Sequence, residues 1–481
     1  FLVQSAASAC ILPFAGWQTA FIPKRKEVII LGAGLSGLYA ALLLQESGYT
    51  VTVLEGKDRI GGKVFTLNHL TGKPEGGGWT IGDHYARFRS LVERFKLNLL
   101  ELPVVAGPPG TLFFVNGQRV ALRDWSMAKP NQLSDGERQT PPPALLGKFI
   151  RSHNPLQHAR DWFDNPHPDL DISIETFLRK QKASKEALRL MRVAPNTNDL
   201  HKTSLLWAMR DDERRKRHSG DRFYRIEGGN SRLISALATS LNHPVMLNKI
   251  VQKIQQSEGK VSITCTDGSV AKADYIISTL PFSVMRGLDI KPVPPVLQAE
   301  AIQHLPYTAI TQVYLQVEQP FWADDDFPVA MWTDTAIERV LPITNEKGQI
   351  SMLVVWMDGK NALAFDKLQP EKQSRQVIDT IGAIRPATRD ALTVVHTQRW
   401  ARNPFSLGAY SHFAPGQITR FARHIAQPIG ALHLAGEHTA IESPGMEGAL
   451  ESAERVVREL MLSLIHISEP TRQAEISYAV F

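Results

Sequence analysis

The chain has 481 residues, 43% of them hydrophobic and 21% charged, so it is globular and can bury a large core in about two or three domains. Its formal charge of +6 is mild, and its most basic stretch, "RDDERRKRH" (210–218), contains acids and no aromatic residues, so we expect no nucleic-acid partner. With only Cys10 and Cys265, and with no histidine pair at ligand spacing near carboxylates, we expect no disulfide framework and no metal.

The first 23 residues are interpreted as the remnant of an export signal. The stretch "FLVQSAASACILPFAGWQTA" is apolar, rich in small residues, too short to span a membrane and followed by the charged "PKRKE". It resembles the apolar part of a twin-arginine export signal, whose arginines would lie upstream. We therefore expect a periplasmic or exported protein with no integral membrane segment, and the alternative is a ragged start on a cytoplasmic protein.

A strand–turn–helix–strand unit follows in "EVIILGAGLSGLYAALLLQESGYTVTVLEG". The pattern predicts a buried strand over 28–31, a helix over 38–45 and a second strand over 51–54. A GxGxxG motif joins the first strand to the helix, and an acid closes the second strand. This context favours a dinucleotide-binding unit over a chance glycine-rich turn.

Each residue of that unit has its own physical role. Gly32 permits the tight turn, Gly34 lets the backbone reach the pyrophosphate, and Gly37 lets the helix pack on the sheet. The helix N-terminus faces the anion. Glu55 lies at about the distance expected for the acid that binds a ribose.

The next motif, "EGKDRIGGKVFT" (55–66), resembles the E-x-x-x-R-x-G-G-R segment of flavoproteins in the amine oxidase superfamily. The resemblance implies FAD as the cofactor. It also implies that Arg59 and Lys63 supply cations for the phosphates and the flavin chain, and that Gly61 and Gly62 let the backbone lie close to the cofactor. Lys63 stands where arginine is usual, which keeps the charge but loses the planar fork.

Two further stretches resemble parts of the same FAD domain. In "EGGGWTIG" three glycines let the chain pass close to a flat group, and the equivalent loop of the family passes the flavin ring, which implies this position for Gly77, Gly78 and Trp79. The short strands and turns of 246–281 resemble the second part of the domain. There Val251 would lie beside the adenine through its backbone.

The stretch "LHLAGEHTAIESPGMEGALESAERVVREL" (432–460) is similar to the C-terminal signature of monoamine and polyamine oxidases. The resemblance implies that Gly436 and Glu437 lie near the ribityl region. It also implies that a helix beginning near Met446 offers its N-terminus to the electron-rich end of the reduced ring. Four motifs in family order across 27–460 identify the chain as similar to flavin amine oxidases.

The resemblance implies an α/β fold in which a Rossmann-type FAD-binding domain, built from discontinuous segments, carries an α+β substrate domain with an antiparallel sheet flanked by helices. The tail 462–481 abandons the preceding helical pattern and resembles a translated sequencing adapter, so we expect it to be dispensable. The expected boundaries are 1–23 for the signal remnant, 24–89, 222–290 and 400–461 for the FAD-binding parts, 90–221 (mostly helical) and 291–399 for the substrate domain, and 462–481 for the tail.

In this family a hydride equivalent passes from the substrate C–H bond to the flavin, and water hydrolyses the resulting imine. The stretch "WARNPFSLGAYSHFAPG" matches the family's loop along the flavin, which implies that Trp400 packs on the ring and that Tyr410 forms one wall of an aromatic cage. Both could instead be core aromatics. Ala409 replaces the cysteine of covalent enzymes, so FAD should be non-covalent, and Gly445 replaces the second cage tyrosine, so the cage should be open on one side.

A further departure from the family pattern bears on the choice of substrate. L-amino acid oxidases clamp the substrate carboxylate with an arginine, and the corresponding position here is near Thr80, although Arg87 or Arg89 could serve. We expect oxidation of a small-molecule amine to an imine, and then to an aldehyde or ketone. The alternatives are an L-amino acid oxidase or carbon–carbon desaturase on the same fold, or a non-catalytic flavin-binding protein. A homodimer is left open.

The electron acceptor depends on the strand in "YTAITQVYLQVEQPFW" (307–322). Its alternation places Ile310, Gln312, Tyr314 and Gln316 on one face. Counting back from "PFW", Gln312 falls where many amine oxidases carry a lysine near the flavin's reactive nitrogen, so it is expected to line the flavin cavity with Tyr314 beside it. A neutral amide would make O2 a poor acceptor and favour a quinone or a cytochrome. The alternative is a surface glutamine, with O2 as acceptor and a cation from elsewhere.

Overall fold

The structure is a computed structural model that describes residues 26–102, 110–165, 167–257, 259–323, 327–345 and 347–478, with side chains up to Leu462. The expected signal remnant at 1–23 lies outside the described residues and stays a prediction. The last helix continues as backbone to Tyr478, although the sequence pattern predicts its end near Leu460. The dispensability of the tail also stays a prediction.

Within these residues the chain forms twenty β-strands and fourteen α-helices. The strands are β1 (Glu27–Leu31), β2 (Thr50–Leu54), β3 (Phe65–Thr66), β4 (Glu75–Gly77), β5 (Ile81–Gly82), β6 (Leu99–Glu101), β7 (Leu112–Val115), β8 (Gln118–Ala121), β9 (Phe223–Ile226), β10 (Val251–Ser257), β11 (Lys260–Cys265), β12 (Val270–Ala273), β13 (Tyr275–Ser278), β14 (Asp289–Lys291), β15 (Ile310–Val317), β16 (Met331–Thr333), β17 (Arg339–Thr344), β18 (Ile350–Asp358), β19 (Leu392–Arg399) and β20 (Leu432–Leu434). The helices are α1 (Leu35–Glu46), α2 (Ala86–Arg94), α3 (Leu145–Arg151), α4 (Asp161–Asp164), α5 (Ile174–Lys180), α6 (Lys185–Met191), α7 (Leu205–Arg217), α8 (Ser231–Thr239), α9 (Phe282–Met285), α10 (Val296–His304), α11 (Gly359–Phe365), α12 (Pro370–Ile384), α13 (Gln417–Phe421) and α14 (Gly445–Tyr478).

A four-stranded parallel sheet in the order β2-β1-β13-β20 forms the centre of the domain that is expected to bind FAD. Its strands come from three distant segments of the chain, as the resemblance implies. Both faces are buried: Val28 and Ile30 pack with α1 and α14, whereas Ile29 and Leu31 face a second core. This explains why β1 is a continuous apolar run rather than an alternating one.

A seven-stranded sheet in the order β19-β15-β18-β17-β16-β7-β8 forms the substrate domain. Every pairing in it is antiparallel except β16 with β7. On β15, Val313 and Leu315 pack against α11 and α12, while Tyr314 belongs to a cluster on the other face. The segment 90–221, expected to be mostly helical, also contributes β6, β7 and β8. The sequence does not reveal these strands, because they are too short to show a clear alternating pattern.

None of the helices within the described residues is both long and apolar enough to cross a membrane.

Candidate active site

A cavity of about 380 Å³ opens at the carboxyl ends of the four parallel strands. The residues that follow these strands line it: Gly32 after β1, Glu55 after β2, Thr279 after β13 and Gly436 after β20. Ligands of open parallel sheets bind at this edge. The topology alone therefore brings the three chain segments to one site.

The GxGxxG turn has the geometry that a dinucleotide needs. Gly32 has φ +101°, which a residue with a side chain rarely adopts. A Cβ atom on Gly34 would meet no protein atom within 4 Å, so this glycine leaves room in the cavity, whereas a Cβ on Gly37 would lie 2.0 Å from the Gly32 carbonyl oxygen. Gly37 therefore permits close helix packing and, unlike the other two glycines, is absent from the described lining.

Glu55 closes the same end of the cavity and is buried. One carboxylate oxygen accepts the Ala33 N–H at 2.8 Å and the other accepts the Lys57 N–H at 3.0 Å. These bonds fix the carboxylate beside the turn and leave further lone pairs for a ribose hydroxyl. The residues present fit the adenosine half of FAD.

The double glycine lies directly against the GxGxxG turn. Gly61 donates its N–H to the Ala33 carbonyl, and a Cβ on Gly62 would lie 3.2 Å from the Gly34 Cα. Both glycines line the cavity, as does Val251 farther along. The backbone can therefore approach a bound group closely here, as the motif predicts.

Arg59 is placed differently from the prediction that it supplies a cation to the phosphates. Its guanidinium donates to the carbonyls of Ile60 and Gly62, both at 3.1 Å, and lies 3.9 Å from the centre of the Phe65 ring. It is not among the described residues that line the cavity. Arg59 instead braces the double-glycine turn, a role that the motif alone does not distinguish from phosphate binding.

Lys63 and Glu437 bring opposite charges into the lining. Burial lowers the pKa of Lys63 and the Glu437 charge opposes this; burial raises the pKa of Glu437 and the Lys63 charge opposes that in turn. The Ser411 N–H and hydroxyl lie 3.3 Å from the Glu437 carboxylate and donate to it. Each group therefore favours the charged form of the other, against the effect of burial.

The glycine-rich loop after β3 is anchored by Gln312 and Trp400, which both line the cavity. The partners of the Gln312 amide assign its orientation: the nitrogen donates to the Gly76 carbonyl at 2.8 Å, and the oxygen accepts the Trp79 indole N–H at 2.9 Å. The Trp400 indole donates to the same Gly76 carbonyl at 3.0 Å. A Cβ on Gly77 would lie 2.6 Å from the Trp400 ring, so a glycine is required there.

Gln312 is 1% exposed, so the alternative of a surface glutamine is wrong. Tyr314, two residues on, is also buried, but it is not among the described lining residues. Its hydroxyl instead donates to the Glu75 carbonyl at 2.7 Å. The expectation that Tyr314 lines the cavity is therefore wrong, because this hydrogen bond directs its phenol to the backbone behind the loop.

Glu75 supports the loop, is 7% exposed and is not among the described residues that line the cavity. Its carboxylate accepts the Asn230 N–H at 2.7 Å and the Thr66 hydroxyl at 2.9 Å. The Asn230 side chain donates to the Gly78 carbonyl at 2.6 Å, so Glu75, Asn230 and the loop form one network. Burial raises the pKa of Glu75 to about 7.

Aromatic side chains line the substrate-domain end of the cavity. Trp79 meets Trp356 edge to face, with ring centres 5.2 Å apart. Tyr410 also lines the cavity, and burial raises the pKa of its hydroxyl well above the usual value, so its phenol is neutral. Ala409 and Gly445 line it as well, which places both departures from the family pattern at the site.

Helix α14 begins at Gly445, and Met446 in its first turn lines the cavity. Gly445 has φ +62°, and the Gly448 N–H bonds to the Pro444 carbonyl. The N-terminus of α14, with its free N–H groups, therefore lies at the edge of the cavity. Such a dipole favours negative charge there.

The arginines proposed as alternative carboxylate clamps lie elsewhere. Arg87 pairs with Glu454 at 2.8 Å and with Glu447 at 3.2 Å, and Arg89 pairs with Asp83 at 3.2 Å. Neither is part of the described lining, which contains Thr80 and no arginine. Nothing in this lining offers a bidentate guanidinium to a substrate carboxylate.

Sequence reasoning missed other residues of the site. Trp356 and Tyr85 line the cavity from a strand and a helix cap whose sequences carry no motif. It also missed a cluster outside the cavity, in which His84, His218 and Asp221 place ligand atoms within 4.8 Å of one another. Spacing along the sequence could not reveal this cluster, because residues distant in the chain converge there, and the expectation of no metal stays a prediction.

Comparisons with known proteins agree with this geometry. Amine oxidase [flavin-containing] A of Canis lupus familiaris is 26% identical over 473 residues, covering 92% of this chain and 86% of that protein. Amine oxidase [flavin-containing] B of Mus musculus is 25% identical over 470 residues, covering 92% and 88%.

Solved structures share the fold. Putrescine oxidase bound to putrescine matches with a TM-score of 0.77 at 21% identity, covering 91% of this chain and 99% of that one. Cyclohexylamine oxidase from Brevibacterium oxydans IH-35A matches with a TM-score of 0.77 at 22% identity, covering 92% and 99%. The expected α/β fold with a Rossmann-type FAD domain is confirmed. The sequence profile described as flavin containing amine oxidoreductase matches residues 35–461. The chain therefore belongs to the flavin-containing amine oxidoreductase family and is an FAD-dependent amine oxidoreductase.

Proposed function

We propose that this enzyme oxidises amines that carry no carboxylate group, with FAD held non-covalently, and that its reduced form reacts slowly with O2. The observation that carries the choice of substrate is the absence of arginine from the described cavity lining. The names of two solved relatives, putrescine oxidase and cyclohexylamine oxidase, also contain amines.

The argument against an amino-acid substrate is one of desolvation. A carboxylate that enters a pocket walled by Trp79, Trp356 and Tyr410 loses its water, and burying an unpaired charge costs several kcal/mol or more. To recruit Arg87 as its partner, the protein would have to break the ion pairs with Glu447 and Glu454. This supports an amine oxidase over the L-amino acid oxidase alternative.

The side chains of the pocket can orient a neutral amine. An apolar, aromatic surface disfavours an ammonium ion and excludes water, so the free amine is the species that binds well. The neutral Tyr410 hydroxyl can donate to or accept from the amine nitrogen. FAD, when bound, supplies the hydride acceptor. Ala409 offers no sulfur for a covalent link.

Gln312 supports the proposal of slow reaction with O2. A cation at this position would stabilise the negative charge that develops on O2 as it is reduced, and a neutral amide does so only weakly. Both ends of the Gln312 amide are engaged by Gly76 and Trp79. Lys63 lies in the same lining, but burial lowers its pKa and so disfavours its charged form. A quinone or a cytochrome is the acceptor we propose instead.

The substrate class is tested by anaerobic mixing of the FAD-loaded enzyme with amines, amino acids and polyenes. We expect only the amines to bleach the flavin absorbance. Bleaching by amino acids but not by the matching decarboxylated amines would contradict the proposal. Bleaching by polyenes alone would support a desaturase.

The acceptor is tested by stopped-flow reoxidation of the reduced enzyme. Gln312→Lys should accelerate the reaction with O2 by about tenfold or more. Gln316→Lys is the matched control, because Gln316 lies on the same face of β15 but is not among the described lining residues. A fast wild-type reaction that Gln312→Lys does not accelerate would contradict the proposal.

A further inference from the structure

Tyr85 lies where Gly445 lacks a side chain. A Cβ atom built on Gly445 would lie 3.6 Å from the Tyr85 hydroxyl oxygen and would meet no other atom of the described protein within 4 Å. Both residues line the cavity. The end of the Tyr85 side chain therefore occupies the space that a side chain at position 445 would enter.

The backbone of Tyr85 is firmly placed. Its N–H donates to the Gly82 carbonyl at 3.0 Å, and its carbonyl accepts the Arg89 N–H at 2.9 Å at the start of α2. The His84 ring packs edge to face on the phenol, with centres 4.8 Å apart. Glu447 of α14 accepts N–H groups from the first turn of α2, at 3.0 and 3.1 Å, so the two helices that carry Tyr85 and Gly445 are joined.

Tyr85 and Tyr410 both line the cavity. Burial raises the pKa of both hydroxyls, so both phenols are neutral.

We propose that Tyr85 is a specificity-determining residue that supplies the second aromatic wall of the substrate pocket, beside Tyr410 and above the bare Gly445. The open side expected from Gly445 is thus closed from a different helix. The pocket then admits primary amines with a slim chain next to the nitrogen and rejects wide ring systems there. This inference rests on the proposed amine oxidation.

The test compares kcat/KM for n-hexylamine, benzylamine and 1-naphthylmethylamine. Tyr85→Ala should raise the ratio of the widest amine to the narrowest by about tenfold or more, since small changes in pocket size give differences of this order. Tyr85→Phe keeps the wall and should keep the wild-type ratio. Tyr49→Phe is the matched control, because Tyr49 is a buried tyrosine that is not among the described lining residues.

A second pair of variants tests the position of the wall. Gly445→Tyr should lose turnover for two reasons: φ +62° strains a side chain at this position, and the new side chain collides with Tyr85. Tyr85→Ala in the same chain removes only the collision, so it should restore part of the turnover, with wild-type preference for narrow amines. An unchanged ratio in a folded, FAD-loaded Tyr85→Ala enzyme would overturn the proposal, as would a folded, FAD-loaded double variant with no more turnover than a folded, FAD-loaded Gly445→Tyr. If Tyr85→Ala does not fold, Tyr85→Leu takes its place with the same expectation.

The two proposals fail in different ways. If no amine bleaches the wild-type flavin, the proposed function is wrong. The wall is then still measured by the dissociation constants of the three amines, read from the change in flavin absorbance on binding without turnover. Tyr85→Ala should shift their ratio in the same direction, and an unshifted ratio would overturn the wall.

Discussion

Glu75 should make the stability of this protein fall as the pH rises from about 4.5 to about 7. Its carboxylate is 7% exposed, and burial raises its pKa from an ordinary value of 4.5 to about 7. Because the folded pKa lies above the unfolded one, the contribution to stability is complete below pH 4.5 and is lost as the pH rises through about 7. The difference corresponds to roughly 3 kcal/mol of unfolding free energy.

The perturbation is Glu75→Gln, which keeps the shape and stays neutral at every pH. Its carbonyl oxygen can accept the Asn230 N–H, and its amide can donate to Thr66 in place of the present bond from Thr66. Urea denaturation of the FAD-loaded protein between pH 4.5 and 8 gives the unfolding free energy. Wild type should lose roughly 3 kcal/mol relative to Glu75→Gln over this range.

Glu371→Gln is the control, since Glu371 is exposed on α12. It should follow wild type at every pH. Parallel pH profiles for wild type and Glu75→Gln would refute the reasoning, because the carboxyl would then titrate alike in the folded and unfolded states.

Three further predictions concern the cofactor and the chain end. Acid precipitation should release all the yellow colour, because Ala409 lacks a sulfur; colour in the pellet would contradict this. Gly34→Ala should fold but bind FAD at least about tenfold more weakly. The Cβ of Gly37→Ala would meet the Gly32 oxygen at 2.0 Å, so this variant should lose about 2 kcal/mol or more of unfolding free energy. Equal thermal stability of the two variants would contradict this contrast. Truncation after Met461, which is 44% exposed, should keep FAD and melting temperature; loss of either would show that the tail contributes to the fold.

The FAD-binding core could be predicted from the sequence because its signals are local. A buried strand, a GxGxxG turn and a helix occupy one short stretch, and the close packing that requires Gly37 is made against Gly32 of the same stretch. The order of the sheet does not follow from those signals. The family resemblance implies only that discontinuous segments build one FAD-binding domain, and it is the structure that pairs β13 with β1 and β20 with β13.

The substrate pocket was predicted less completely because its walls come from unrelated parts of the chain. Tyr85 follows a short loop and Trp356 lies on a strand with no motif, so nothing local marks either as a pocket residue. Arg59 shows the reverse case. The motif correctly marks a cation at this position, but the Arg59 guanidinium donates to backbone carbonyls. A motif fixes a residue type and its position, whereas the partner depends on tertiary contacts.

Gln312 is expected to affect both the stability of the glycine-rich loop and the reaction with O2, and variants can separate the two effects. Its hydrogen bonds to Gly76 and Trp79 stabilise the loop, and its lack of charge bears on the reaction with O2. Gln312→Met removes both hydrogen bonds without adding charge. It should therefore lower the unfolding free energy by about 1–3 kcal/mol, while the reoxidation rate stays near that of wild type. Gln312→Lys can still donate to Gly76 but loses the bond to Trp79, so it should lose stability and gain reoxidation rate. If Gln312→Met accelerated reoxidation as much as Gln312→Lys, the loosened loop rather than the charge would control the access of O2.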